Sequence, residues 1–163
     1  MVLYRQIIII SGLFMIRISK LTDYAMLILT QLARDPATIL SATVLSEALH
    51  LPAPTVSKIL KILCDAEIVI SARGAEGGYR LARAANSITI MNIITAMEGQ
   101  LALTECCEMT SCCAIDHVCT MRENWRTING MVQALLTKFT ILDMIDPQFV
   151  MKQQVAVGCG AMS

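Results

Sequence analysis

The chain has 163 residues, a formal net charge of zero and a hydrophobic fraction of 55%. This length accommodates about one domain of ~100–150 residues with an appendage. Zero net charge excludes a uniformly basic surface, so any basic footprint for nucleic acid has to be local. With 4% aromatic residues and 11 methionines, the composition predicts helices rich in aliphatic side chains and an apolar partner surface.

Residues 1–14 are interpreted as an N-terminal extension. The apolar run 7–16 has the length of a signal-peptide core, but it lacks a small-residue cleavage site and is far short of the ~20 residues that span a bilayer. We favour a translation start at Met15 over an ordered extra segment or a targeting peptide. In the cytoplasmic, membrane-free protein that we expect, seven cysteines indicate metal binding, redox activity or inert thiols rather than disulfides.

Three amphipathic helices follow. Residues 18–33 place apolar side chains at helical spacing, and Asp35-Pro36 ends the run. Ser41 is predicted to cap a short helix, and Pro54 suits the first turn of the next one. This third helix has an apolar face and a polar face, so it is predicted to be half-buried.

Two β-type runs come next, at 68–72 and 79–82, with a glycine-rich turn between them. Helix, helix, turn, helix and hairpin is the order of a winged helix-turn-helix, predicted here over residues 15–86. The helix that starts near Pro54 would enter the major groove of DNA. A small helical domain with a solvated lysine face is the alternative. The local basic residues on the helix and wing are Lys58, Lys61, Arg73, Arg80 and Arg83.

The second half begins with an amphipathic helix over 88–99, closed by glycine. A single long helix is predicted over 121–145, and its wide apolar stripe indicates dimerisation through residues 121–146. A core helix of a monomer is the alternative. The fold class is therefore mainly α, and residues 147–163 are predicted to be a loose tail.

A cysteine-rich segment lies between these helices, within residues 87–120. Cys107, Cys113 and Cys119 are spaced at equal intervals of six, and Cys106 and Cys112 offer a register one residue earlier. These steps are too wide for zinc-binding pairs. Three thiolates that lack a fourth ligand suit an iron–sulfur cluster. Zinc, a thiol–disulfide switch and unliganded cysteines are the alternatives.

The stretches "RISKLTDYAMLILTQLA", "SARGAEGGYRLA" and "ALTECC…VCTMRENWRTING" resemble the winged-helix regulators of the IscR and NsrR type. Within that family they are most similar to the regulators of SUF-system iron–sulfur assembly. The resemblance covers about residues 15–145. It implies a homodimer with a long crossing helix that regulates, usually by repression, the genes of iron–sulfur cluster assembly in response to cluster supply.

The resemblance also implies site residues. The cluster, [2Fe-2S] or [4Fe-4S], would be held by Cys107, Cys113 and Cys119, with Cys106 and Cys112 as the alternative register. Arg73 would be the wing arginine in the minor groove. The recognition-helix positions implied to face bases are Thr55, Ser57 and Lys58. With Lys61, Tyr79 and Arg80 of the same helix and wing, they complete the predicted DNA-binding residues.

The fourth ligand departs from part of the family. IscR-like proteins have a histidine three residues after the last cysteine, where this chain has Arg122, so that ligand is excluded. NsrR-like proteins use an aspartate from the first helix of the partner subunit, which matches Asp23. His117, a spare cysteine and an exogenous thiol are the alternatives.

Catalysis is not expected, because the chain has two histidines, no phosphate-binding glycine loop and no nucleophile–base pair. The expected partners are a double-stranded DNA operator and a second copy of the chain, without a membrane or a small-molecule substrate. Competing functions are regulation by nitric oxide, iron or redox stress, a cluster-free thiol switch, and a thiol or metal carrier.

Overall fold

The computed structural model describes residues 18–74, 77–108, 113, 115 and 118–146. The predicted extension 1–14, the predicted tail 147–163 and the candidate ligands Cys112 and His117 lie outside these residues.

The first helix, α1 (Lys20–Arg34), begins at a side-chain cap. The Ser19 hydroxyl accepts a hydrogen bond of 3.3 Å from the Thr22 N–H, which satisfies a backbone donor that the first turn leaves open. One face of α1 is buried, so the helix predicted over 18–33 is confirmed. The buried residues of α1 are Thr22, Ala25, Ile28, Leu29, Leu32 and Ala33.

The next two helices form the helix-turn-helix. Helix α2 (Ala42–Leu49) is capped by Ser41, whose hydroxyl accepts from the Val44 N–H at 3.2 Å. Helix α3 (Ala53–Asp65) has Pro54 in its first turn, where a missing N–H costs nothing. Both helix starts agree with the sequence predictions.

A two-stranded antiparallel hairpin forms the wing, from β1 (Val69–Ala72) and β2 (Gly78–Leu81). Leu40 extends it as a short third edge, since its N–H donates to the Tyr79 carbonyl at 3.1 Å and its carbonyl accepts from the Tyr79 N–H at 2.9 Å. Gly78 is required by this close approach, because an added Cβ would lie 2.7 Å from the Leu40 carbonyl oxygen. The predicted winged helix is confirmed.

Helix α4 (Ile90–Glu98) follows the wing and is fixed at both ends. Thr89 and Asn92 form a capping box at its start, which satisfies a backbone donor on each residue. Gly99 ends the helix with a φ of 88°, in the region that favours glycine. The helix predicted over 88–99 is confirmed.

The prediction of one helix over 121–145 is wrong. The chain forms α5 (Arg122–Lys138) and a short α6 (Ile141–Ile145), separated by extended backbone at Phe139. The side chain of Thr140 caps α6. The apolar residues keep their helical spacing through Phe139, so the sequence pattern does not indicate this break.

The break coincides with backbone pairing to the residues at the start of α4. The Phe139 carbonyl accepts from the Ile90 N–H at 2.8 Å, and the Ile141 N–H donates to the Ile88 carbonyl at 3.0 Å. A continuous helix would use the same backbone groups internally. The turn directs α6 back against α1, which it contacts.

One hydrophobic core joins α1, α2, α3, α4, α6 and the hairpin. Its fully buried large side chains are Ile28, Leu29, Leu32, Leu45, Val56, Ile59, Leu60, Leu63, Ile68, Ile88, Ile93 and Ile141. Among the described residues, no helix combines the length and the apolar character needed to span a bilayer.

Candidate nucleic-acid interface and cysteine segment

Helix α3 presents a polar face to solvent. Ser57, Lys58 and Lys61 are exposed and Thr55 is half-buried. The opposite face of α3, formed by Val56, Ile59, Leu60 and Leu63, is buried in the core. This division leaves the face with the two lysines free to enter a groove of DNA.

Arg73 follows β1 directly and is exposed. Together with Tyr79 it lines a shallow cavity of about 360 Å³ whose opposite side is Ser41 and Ala42, the start of α2. The guanidinium and the N-terminal end of α2 both favour a phosphate. The sequence indicated Ser41 only as a cap, because the approach of α2 to the wing is a tertiary contact.

Arg80 lies on the other face of the hairpin. It pairs with Ile70 across the strands, whereas Tyr79 points to the side of Arg73, since neighbouring side chains of a strand alternate. Arg80 lines a separate cavity of about 460 Å³, with Pro36 and Leu142 among its other lining residues. The structure therefore does not bring Arg80 together with Arg73.

Arg83 has an internal role. Its guanidinium donates to the Glu67 carbonyl at 3.3 Å and to the Asn92 side-chain oxygen at 3.3 Å. It thus joins the residues after α3 to the start of α4, while its side chain stays exposed.

The first cysteine doublet is resolved into two different environments. Cys106 is buried and Cys107 is half-buried. Both sulfur atoms lie near the Thr104 hydroxyl oxygen, at 3.1 Å for Cys106 and 3.3 Å for Cys107. Cys113 and Cys119 are half-buried and, like the doublet, are free thiols.

The donor chemistry of these residues fits an iron–sulfur cluster, because reduced thiols are its preferred ligands. In the described part of this single chain, however, no three His, Cys, Asp or Glu side chains converge closely enough to hold a metal ion. Asp23 is exposed on the first turn of α1. Its exposure is compatible with a role toward a second subunit.

Glu98, the last residue of α4, connects this helix to the start of α1. Its carboxylate accepts hydrogen bonds from the Thr22 hydroxyl and, at 2.9 Å, from the Ser19 N–H. These bonds, that from Thr22 first, lower the pKa of Glu98 below its usual value of 4.5. The ionised carboxylate therefore stays at the positive end of α1 at neutral pH.

Cys64 on α3 is a different kind of thiol. Burial, with a smaller contribution from the charge of Asp65, raises its pKa above the usual value of 9.0. A raised pKa reduces the thiolate fraction, and thiolates are the reactive and metal-binding form. Cys64 also packs against the hydrophobic core, which is a structural role.

The fold and the basic face of α3 define a winged-helix DNA-binding protein. The sequence profile of the Rrf2 family, described as an iron-dependent transcriptional regulator, matches residues 18–147. The chain belongs to this family and is a transcriptional regulator, not an enzyme.

Individual relatives agree with this assignment. The chain is 30% identical to the HTH-type transcriptional regulator NsrR of Oceanobacillus iheyensis, over 78% of this chain and 88% of that protein. It is 32% identical to protein rrf2 of Nitratidesulfovibrio vulgaris, over 54% of this chain and 59% of that protein.

Solved structures are similar over most of the chain. CymR, the global cysteine regulator of B. subtilis, matches with a TM-score of 0.64 and 26% identity, over 80% of this chain and 97% of that chain. T. potens IscR matches with a TM-score of 0.60 and 25% identity, over 79% of this chain and 85% of that chain.

Proposed function

We propose that this regulator is a homodimeric repressor of iron–sulfur cluster assembly genes of the SUF type, and that it senses cluster supply through its cysteine segment. The observation that carries the proposal is the concentration of five of the seven cysteines in the one stretch of sequence that precedes α5. The family description as an iron-dependent regulator and the NsrR and IscR relatives support it.

The proposed ligands are Cys107, Cys113 and Cys119, because all three are half-buried and can be reached. Cys106 is buried and is therefore the weaker candidate of its doublet. Asp23 of a second subunit is the proposed fourth ligand. When bound, an iron–sulfur cluster supplies a rigid centre that links thiolates distant in sequence.

The cysteine segment is attached to α5, since the Arg126 Nε donates to the Cys106 carbonyl at 3.2 Å. A change of order in the segment would therefore act on α5. If α5 joins two subunits, the change alters the separation of the two α3 helices and with it operator affinity.

The experiment is the visible absorption and the iron and sulfide content of anaerobically purified protein. We expect brown protein with near-stoichiometric iron and sulfide. Cys107→Ala should lose most of both, whereas the matched control Cys106→Ala should keep them. Loss in the control alone would assign the earlier register.

A cluster-free thiol switch is the second candidate. The convergence of the Cys106 and Cys107 sulfur atoms on the Thr104 hydroxyl favours it. Colourless protein that still dimerises and binds DNA would support this candidate and contradict cluster sensing.

A further inference from the structure

The residues that lead to the first cysteine doublet are hydrogen-bonded to one side of α5. Three α5 side chains bind backbone groups of three residues of this segment, and we call this set the polar ladder. Its bonds are Gln133 Nε2 to the Leu101 carbonyl (2.8 Å), the Leu103 N–H to Asn129 Oδ1 (3.0 Å), and Arg126 Nε to the Cys106 carbonyl (3.2 Å).

The geometry of the ladder is regular. Gln133, Asn129 and Arg126 are separated by four and three residues, so they lie on the same side of the helix. The sequence numbers of the partner residues increase as those of the α5 residues decrease, and the segment therefore runs antiparallel to α5. The 3₁₀ turn Glu105–Cys107 at the end of the ladder packs against α5.

Asn129 is the central member of the ladder. The structure describes every residue of α5, and Asn129 alone among them is buried, with 7% of its surface exposed. A buried amide is costly unless it is hydrogen-bonded. Its side-chain oxygen has the Leu103 N–H as partner, so this polar residue fixes a position of the segment that an apolar residue would leave free.

The register has a chemical consequence because the cysteines are doubled. A slip of one residue along α5 would put Cys107 where Cys106 is buried and would expose Cys106 instead. Apolar packing alone discriminates weakly between two adjacent residues of the same type. Backbone N–H and C=O groups are the same in every residue, so the ladder discriminates by direction. Residues 101–104 lie outside any helix, and there the neighbouring groups that a slip would present point in other directions.

We infer that Asn129, Gln133 and Arg126 are positioning residues that fix the register of the segment 101–106 on α5 and thereby select Cys107 as the accessible thiol. The inference deepens the proposed function, because it names what sets the ligand register. It concerns the reduced, metal-free chain and can be tested whether or not a cluster binds.

The test compares alkylation rates of individual cysteines by N-ethylmaleimide, measured by mass spectrometry on the full-length, reduced chain in a chelator. In the wild type, Cys107 should react faster than Cys106. Asn129→Leu leaves the Leu103 N–H without its acceptor, and we expect the Cys106 rate to rise about tenfold relative to Cys107. Gln133→Glu, which removes the donor to Leu101, should give a smaller rise.

Thr137→Ala is the matched control. The Thr137 hydroxyl donates to the Gln133 carbonyl at 2.8 Å within α5 itself, so this variant removes a hydrogen bond without touching the segment. Cys64 on α3 reports on the whole fold. The inference is overturned if neither ladder variant changes the Cys106 rate more than Thr137→Ala does, or if Cys64 accelerates in parallel with Cys106.

Discussion

Arg73 and Arg80 were predicted together as DNA contacts, and the hairpin separates them. Arg73 is exposed at the end of β1 and shares a cavity with the start of α2. Arg80 lies one strand position from Tyr79 and lines the cavity toward Pro36 and Leu142. The sequence could identify both as basic wing residues, but the face of the hairpin on which each side chain lies depends on strand register.

Arg73→Ala should weaken DNA binding and make it less sensitive to salt. Removing the contact of one arginine with DNA should reduce the magnitude of the slope of log K against log salt by about 1. The measurement is fluorescence anisotropy at several salt concentrations, with an operator selected from random double-stranded oligonucleotides. Arg80→Ala is the matched control and should change the slope less. Equal slopes for wild type and Arg73→Ala would show that the wing assignment is wrong.

At the scale of elements, both helices of the helix-turn-helix end in the same way. Each has a non-glycine residue in the left-handed region, His50 after α2 with a φ of 52° and Glu67 after α3 with a φ of 55°. The His50 N–H donates to the Glu47 carbonyl at 3.3 Å, and the next N–H bonds one residue further back. This is the Schellman pattern, in which glycine is usual.

Substitutions at His50 should follow backbone preference, because its side chain is exposed. A left-handed non-glycine residue costs roughly 1–2 kcal/mol, and the extra freedom of glycine in the unfolded chain offsets about 0.4–1 kcal/mol of that. We expect His50→Gly to stabilise by about 0.5–1 kcal/mol and His50→Val to destabilise by at least ~1 kcal/mol.

The check is the free energy of unfolding from urea titration. His50→Asn is the control, since asparagine also tolerates this region, and it should be close to the wild type. An equal stability of the glycine and valine variants would contradict the assigned turn.

The elements predicted well are those that carry local signals. Ser41, Pro54 and Gly99 mark helix ends through capping chemistry that acts within a few residues, so α2, α3 and α4 could be placed from the sequence. The end of α5 could not, because Phe139 leaves the helix to pair with Ile90, a residue far away in the chain. The polar ladder could not be predicted either, because its hydrogen bonds join residues that are far apart in the sequence.

At the scale of the whole molecule, α5 is too exposed for a helix with so many apolar residues. Its large apolar side chains that face solvent are Trp125, Ile128, Met131 and Leu135, and Met121 precedes them at helical spacing. Met131 retains 66% of its surface. A contiguous apolar stripe of this kind marks an interface, and helical spacing on one helix suits a second copy of the same stripe.

Met131→Glu should therefore separate the subunits. In a twofold interface the substitution would bury two unpaired carboxylates, and we expect the dissociation constant of the dimer to rise about a hundredfold or more.

Sedimentation velocity over a concentration series measures this constant. Thr137→Glu adds the same charge to an exposed position on the opposite side of α5 and should leave the dimer intact. In the proposed dimer, two linked α3 helices would read two half-sites, so Met131→Glu should also lose operator affinity. A wild-type chain that sediments as a monomer at micromolar concentration, or a Met131→Glu variant that dimerises like the control, would refute the interface.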